Sequence, residues 1–463
     1  MGVRHVAVAP REGHADPSGA RARRDVLLAL ASDPGVVRTA KVYTFSPALP
    51  EAEAEYLARV ALCDAGTNEA SVGPTRPPSG ARSFLAIDKR PGVTDDEAQT
   101  LRTVLADAFE RSRPGTRRVA SRDVYWFEAS HSRAVLERIA RDVLGNPLVH
   151  VLTFGDVASY ADPELPPEPG EASAVATIRL PEDDDGLVAL SERRLLALDL
   201  AEMRAMAVYF GLPATRRARE AAGLPAEPTD GELECIAQTW SEHCKHKEFN
   251  ARISFRDNES GRSFDIDSLF RTYIVAATRT VERELAAWGQ DWLLKVFDDN
   301  AGVVRIDDER VFVWKVETHN SPSAVDPYGG AITGILGNNR DPLGTGRGGG
   351  RLLFNTDVLC FGPPDYDRPL LPGQLHPRRV FAGVRRGIED GGNKSGIPTV
   401  NGSILFDDRF AGKPLVFCGT GSVAPASAGG RRWWEKEVSE GDRIFMVGGR
   451  VGKDGIHGAT FSS

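Results

Sequence analysis

The sequence predicts an α/β (α+β) fold. Stretches of strand character alternate with stretches of helical apolar spacing along most of the chain. One strand-helix pattern returns after about 80 residues. Glycine, proline and short polar clusters punctuate the alternation.

Arg24–Leu30 reads as helix, Lys41–Phe45 as strand and Glu55–Val60 as a second helix. The pattern recurs as a helix over Leu101–Phe109, a strand over Asp123–Phe127, a helix over Val135–Leu144 and a closing strand over Pro147–Phe154. Both copies suggest small βαβ-type modules, placed at 1–78 and 79–160. The proline-rich, acidic run Asp162–Gly170 opens a linker over 161–228, with helical spacing from Leu190 to Phe210. Arg216, Arg217 and Arg219 follow it and read as a solvated helix face. Thr229 and Glu232 have the spacing of a capping box, opening a helix whose inner face holds Leu233, Ile236, Ala237, Trp240, His243 and Cys244. Beyond it, Asn250–Phe255 reads as strand, Leu269–Trp288 as helix, Arg310–Val316 as strand and Arg378–Gly387 as helix. Thr399–Phe406, Leu415–Val423 and Arg443–Val447 read as strands. One domain is expected over 229–425 and the beginning of another over 426–463.

Composition narrows the function. Acidic residues outnumber basic ones, 65 to 57, so no overall basic field favours nucleic acid. The five cysteines form no C-x-x-C pair, which argues against a disulfide framework or structural zinc and for a reducing cytoplasm. Met1–His5 does not open an apolar leader, and no run of about 18 apolar residues predicts a membrane span.

The densest chemistry lies in Lys315-Val316-Glu317-Thr318-His319-Asn320-Ser321-Pro322, with Pro327-Tyr328-Gly329-Gly330 and Asn339-Arg340-Asp341 after it. Lys315, Glu317 and His319 alternate along a strand and share a face. Glu317 and Asp341 are hard oxygen donors suited to magnesium, which takes one or two carboxylates plus phosphate oxygens. Lys315 suits phosphate as a point charge, and Arg340 suits bidentate anion binding. The competing reading is a surface ion-pair cluster. His243 is either a proton carrier or a satisfied core histidine. Gly344–Gly350 and Gly448–Gly458 are loops whose amides could cradle phosphate, or plain turns. Gly387–Ser395 nearly spells a P-loop, but Asn393 breaks the spacing and the strand-loop-helix order is missing.

On these motifs, together with Trp240–Cys244, Gly396–Val400 and Gly452–Ser463, the chain resembles the phosphoribosylformylglycinamidine synthases from about Thr229 onward. Less closely, the N-terminal repeat resembles two tandem copies of that family's small accessory subunit. The resemblance implies a domain like that of aminoimidazole ribonucleotide synthetase. It also implies ATP-dependent conversion of formylglycinamide ribonucleotide to its amidine, with ammonia supplied by a glutaminase partner. By position it assigns His243 to catalysis, with His319 able to take over a second proton-handling role, and Lys315 and His246 to ATP. It assigns Glu317 and Asp341 to Mg2+, and Thr318, His319, Asn320, Ser321 and Arg340 to the substrate.

Two departures qualify the resemblance. Ser321 stands where many members carry a second histidine, and His246 where some carry a tyrosine. The sequence stops at Phe461-Ser462-Ser463, inside what the family makes a continuing domain, and no cysteine sits in a Gly-x-Cys-x-Gly setting. The expectation is an N-terminal portion needing a C-terminal synthetase half. Another enzyme of the synthetase superfamily, or a non-catalytic scaffold that docks a glutaminase, are the alternatives.

Overall fold

The computed structural model describes residues 2–90, 93, 95–109, 118–147, 149–165, 175–241, 246–371 and 373–448. The first module runs β1 (Arg4–Pro10), α1 (Pro17–Leu30), β2 (Val37–Ser46), α2 (Glu51–Leu57) and β3 (Asn68–Val72). The second repeats it as β4 (Ser83–Lys89), α3 (Asp96–Phe109), β5 (Arg118–Phe127), α4 (Arg133–Arg138) and β6 (His150–Asp156). Sequence reading misses β1, β3 and β4. The six strands form one antiparallel sheet, β3-β1-β2-β5-β4-β6, with β2 and β5 as the central seam.

The repetition extends to single side chains. Asp16 caps α1 at Gly19 N (2.6 Å) and also accepts from Thr39 N on β2 (2.6 Å). Asp95 caps α3 at Ala98 N (3.0 Å) and accepts from Ser121 N on β5 (2.7 Å). Each carboxylate thus fastens a helix start to the next strand of its own module.

Four helices follow: α5 (Asp184–Arg193), α6 (Leu200–Gly211), α7 (Pro213–Ala221) and α8 (Asp230–Trp240). The expected helical stretch from Leu190 to Phe210 is broken. Leu195 and Ala197 adopt positive φ, and Asp199 restarts the helix with its own capping box. The expected box at Thr229 and Glu232 is present. Arg219 is not on a solvated face: it is buried and holds Glu232 with a two-pronged contact of 2.6 and 2.9 Å. That guanidinium, with the Thr229 donors, pulls the Glu232 carboxyl down to about 2. Leu233 and Ala237 of α8 are fully buried against Leu187, Leu190, Met203 and Met206. The expected boundary after residue 228 therefore cuts a single helical core.

After α9 (His246–Asn250), the hairpin β7 (Arg252–Arg256) and β8 (Ser263–Asp267) leads through the π-helical segment Phe270–Val275 into α10 (Ala276–Ala287), the helix expected over Leu269–Trp288. The last unit contains β9 (Leu293–Lys295), β10 (Gly302–Arg305), β11 (Arg310–Thr318), α11 (Asn320–Val325), α12 (Pro327–Gly344), β12 (Arg351–Phe361), α13 (Pro377–Ser395), β13 (Thr399–Phe406) and β14 (Leu415–Pro425). Its sheet has the order β13-β12-β14-β11-β10-β9, and only the β12–β13 pair is parallel.

Helices α12 and α13 pack closely, and glycines permit it. A Cβ at Gly383, Gly387 or Gly391 would lie 2.5–2.6 Å from an atom of Pro327, Tyr328 or Ile335 on α12. The near-P-loop is thus the C-terminal half of a packed helix. Beyond β14, Trp433 is 1% exposed and sits among Val303, Val311 and Val313, so the expected boundary after 425 also cuts a core. The strand expected over Arg443–Val447 is exposed coil, because it has no neighbouring strand to pair with among the described residues. None of the described helices is long and apolar enough to cross a membrane.

The N-terminal sheet unit docks on the last unit. Asn146 Nδ2 donates to Val325 O (2.9 Å), Arg379 to Gly145 O (2.7 Å) and Arg378 to Leu28 O (2.9 Å). His150 Nδ1 accepts from Asn146 N (3.1 Å) and so fixes the docking loop. Burial, then the charges of Lys89 and Arg379, pushes the His150 imidazole down to about 4. The unfolded chain therefore takes up this proton first as pH falls. The contribution is complete above about pH 6.5 and lost as pH falls towards 4. Urea denaturation at pH 7 and pH 4.5 should show an added loss on the order of 1 kcal/mol, moderated by solvent screening of the half-buried ring. His150→Gln should remove that increment, and an unchanged pH slope in the variant would count against the assignment.

Candidate functional site

Strand β11 carries the site from the core to the surface. Val311 and Val313 are fully buried, while on the opposite face Phe312 stacks with Phe354 and Trp314 meets the same ring at a tilt. Lys315 continues the Val311–Val313 side, and from Val316 to Thr318 the strand is exposed. Lys315 pairs across β14 with Thr420, and Glu317 with Cys418, so the two side chains share a face two residues apart.

His319 ends the strand. Its amide donates to Val416 O (2.9 Å), and its Nδ1–H donates to Gly330 O at 2.5 Å, which engages Nδ1 and leaves Nε2 as the other ring nitrogen outside that bond. Gly334 allows this approach, since a Cβ there would lie 2.8 Å from His319 Cβ. Asn320 Oδ1 accepts from Val416 N (2.8 Å), so half of its carboxamide closes the sheet edge. Ser321 lies in the first turn of α11 and is partly exposed. Glu317, Thr318 and His319 line a crevice with Gly334, Ile388 and Cys418.

Helix α12 brings the other half. Asp341, nearly buried, meets Lys315 Nζ at 2.8 Å. Arg340 Nη2 lies 3.2 Å from the same carboxylate, with most of the guanidinium in solvent. The predicted phosphate lysine and one predicted magnesium carboxylate are thus directly paired. Among the described residues no group pairs with the exposed Glu317 carboxylate, and no cluster of three or more metal-binding side chains occurs. Two carboxylates beside a lysine suit a cation that takes most of its ligands from phosphate and water.

The structure therefore brings together Lys315, Glu317, Thr318, His319, Asn320, Ser321, Arg340 and Asp341 along β11, α11 and α12. His246 opens α9 on a separate element, exposed, beside Lys247, which is ion-paired with Glu202 of α6. His243, Cys244, most of the Gly448–Gly458 stretch and the Gly452–Ser463 motif lie outside the described residues.

Sequence reading missed a buried polar layer under α12 made of Asn338, Asn339, Asn355, Asp357, Cys418 and Thr420. Burial pushes the Asp357 carboxyl up, and burial with that carboxyl pushes the Cys418 thiol up. The available signal was polar residues at a period of two in β12 and β14, where a covered sheet face ordinarily carries apolar ones.

Comparison with known proteins agrees with this geometry. Residues 298–423 match the family described as AIR synthase related protein, N-terminal domain. Residues 187–247 match the formylglycinamide ribonucleotide amidotransferase linker domain. The phosphoribosylformylglycinamidine synthase subunit PurL of Thermoplasma acidophilum is 36% identical over 288 residues, which are 62% of this chain and 32% of that protein. That of Salinibacter ruber is 34% identical over 51% of this chain and 26% of its own length. A solved structure, T. maritima PurL complexed with FGAR, is 29% identical over 53% of this chain and 31% of that one, with a TM-score of 0.31. The chain spans about a third of the length of the curated relatives it matches. Linker and synthetase-type domains are thus matched in chain order, and these relatives share the name phosphoribosylformylglycinamidine synthase subunit PurL.

Proposed function

We propose that the chain is the N-terminal portion of an ATP-dependent, amidine-forming carbon–nitrogen ligase. It would act on formylglycinamide ribonucleotide with ammonia delivered by a glutaminase partner, and a C-terminal synthetase half would complete it. The observation that carries this reading is the Lys315–Asp341 pair beside Glu317 and His319, within a segment that matches the family. In the reaction, the formamide oxygen attacks the γ-phosphorus of ATP and ADP leaves. Ammonia then adds to the activated carbon, and phosphate departs as the amidine forms.

Each side chain has a part in this. Lys315 and Arg340 offset the charge that gathers on the transferring phosphoryl oxygens. Glu317 and Asp341 would hold Mg2+, which supplies further neutralisation of phosphate charge. His319, with Nε2 available, accepts a proton from the incoming ammonia, and His243 is proposed as a second proton carrier. Thr318, Asn320 and Ser321 orient the substrate, and His246 would face the nucleotide. The helical unit, from 187 to the end of α8, serves as the linker to the ATP-binding unit, and the tandem modules stand in for an accessory-subunit pair.

The test is equilibrium binding of ATP with and without magnesium. Glu317→Ala should remove the magnesium-dependent part of the affinity, at least about tenfold, for loss of one carboxylate ligand. Nucleotide binding indifferent both to magnesium and to this substitution would overturn the reading.

A further inference from the structure

Two polar rows cross the sheet under α12. Lys315, Thr420 and Asn355 share one rung of β11, β14 and β12; Glu317, Cys418 and Asp357 share the next. Residues directly opposed in a ladder project to one face, so each site residue is the outer end of a buried polar row. Thr420 is the hub of the first row. Its Oγ1 accepts from Asn338 Nδ2 (2.5 Å) and Asn355 Nδ2 (2.7 Å) and donates to Asn339 Oδ1 (2.9 Å). One hydroxyl offers one donor and two acceptors, and all three are used.

Burying such a layer is unfavourable compared with a packed apolar one, more so because Asn338 Oδ1, Asn355 Oδ1 and Asp357 Oδ1 find no partner among the described residues. What it gives is direction. Asn338 and Asn339 directly precede Arg340 and Asp341 on α12. The next residue is Pro342, inside the helix, which offers no amide to the Asn338 carbonyl and weakens that turn. Beyond it, Thr345 Oγ1 donates to Asp341 O (2.7 Å). The turn bearing Asp341 therefore lacks one of its own helical bonds and is tied to the sheet through Asn338 and Asn339.

We propose that Thr420, Asn338 and Asn339 are positioning residues. They clamp the proline-weakened turn of α12 so that the Asp341 carboxylate stays aligned with Lys315 for a magnesium–nucleotide. The nucleotide part of this inference rests on the functional reading above; the clamp itself does not.

The test compares Thr420→Val, which keeps the shape and removes the hydroxyl, with Thr420→Ser, which keeps the hydroxyl. Val384→Ala, in the buried α13 interface, serves as a control of general loosening. Hydrogen exchange should show protection of the amides from Arg340 to Thr345 falling about tenfold in Thr420→Val and returning in Thr420→Ser. The magnesium-dependent gain in ATP affinity should fall about tenfold in the same variant. Val384→Ala should loosen α12 and α13 evenly and leave the magnesium dependence intact. Should Thr420→Val not fold, Thr420→Ala, which leaves room for water but no fixed hydroxyl, carries the same expectation. A Thr420 variant that behaves like Val384→Ala overturns the clamp. If the unsubstituted chain binds no ATP with magnesium, the functional reading falls, and exchange alone decides the clamp.

Discussion

Lys315→Ala is expected to raise the dissociation constant for magnesium–ATP by at least about 100-fold, near 3 kcal/mol, and to lower stability as well. Lys315 is 21% exposed and its partner Asp341 9%, at 2.8 Å. Removing the cation strands a nearly buried carboxylate whose remaining neighbour, Arg340, is 80% exposed and well solvated. Breaking a buried pair by deleting one partner costs about 3–5 kcal/mol when no other charge compensates; with Arg340 present, about 2–3 kcal/mol is expected. The two effects separate in a double-mutant cycle. Lys315→Met combined with Asp341→Leu should recover most of the stability in urea denaturation, because no unpaired charge remains. It should recover none of the nucleotide affinity by calorimetry. Recovery of both, or retention of ATP binding in Lys315→Ala, would favour a scaffold whose charges serve only the fold.

Trp433→Ala should be the most destabilising single change in the last unit, at about 3–5 kcal/mol by denaturant unfolding. The indole is 1% exposed, packs on Val303, Val311 and Val313, and donates from Nε1 to Gly348 O at 2.8 Å. Its carbonyl accepts from Arg347 N at 2.9 Å. Gly346, at φ +55°, lies so close that a Cβ would sit 2.5 Å from Trp433 O. The residue therefore fills the core and pins the glycine loop that follows α12. Loss of amide protection in residues 344–350 should accompany the fall in stability. A change below about 1 kcal/mol would mean that the loop and β10–β11 hold their arrangement without it.

How much of this was legible in the sequence varied with what each segment's signal depends on. Local chemistry was readable: the capping box at Thr229 and the alternation of Lys315, Glu317 and His319 are short-range rules that tertiary contacts did not override. Helix α12 was not readable, since Gly329, Gly330, Gly334, Gly337 and Pro342 all lower helix propensity. Its stability comes from α13 and the sheet, contacts that need the absence of side chains rather than their presence. Arg219 escaped for a similar reason: a buried guanidinium is inferred only once Glu232 is known to face it. The domain limits at 228 and 425 followed sequence motifs, whereas Leu233 and Trp433 obey packing. Asn338, Asn355 and Thr420 looked like ordinary loop and strand polarity until the register set them side by side.

The doubled N-terminal unit has a consequence for stoichiometry. Among the described residues, the hydrogen bonds that join it to the last unit involve α1 of one repeat and Arg141, Gly145 and Asn146, beyond α4, in the other. The symmetry-related surface, on α2 and α3, has its own apolar core beneath it but makes none of these bonds. Two separate copies of such a module would offer two equivalent docking faces and could dissociate on dilution. Tethered in one polypeptide, they assemble once, at any concentration, with one face occupied and the other freed to change.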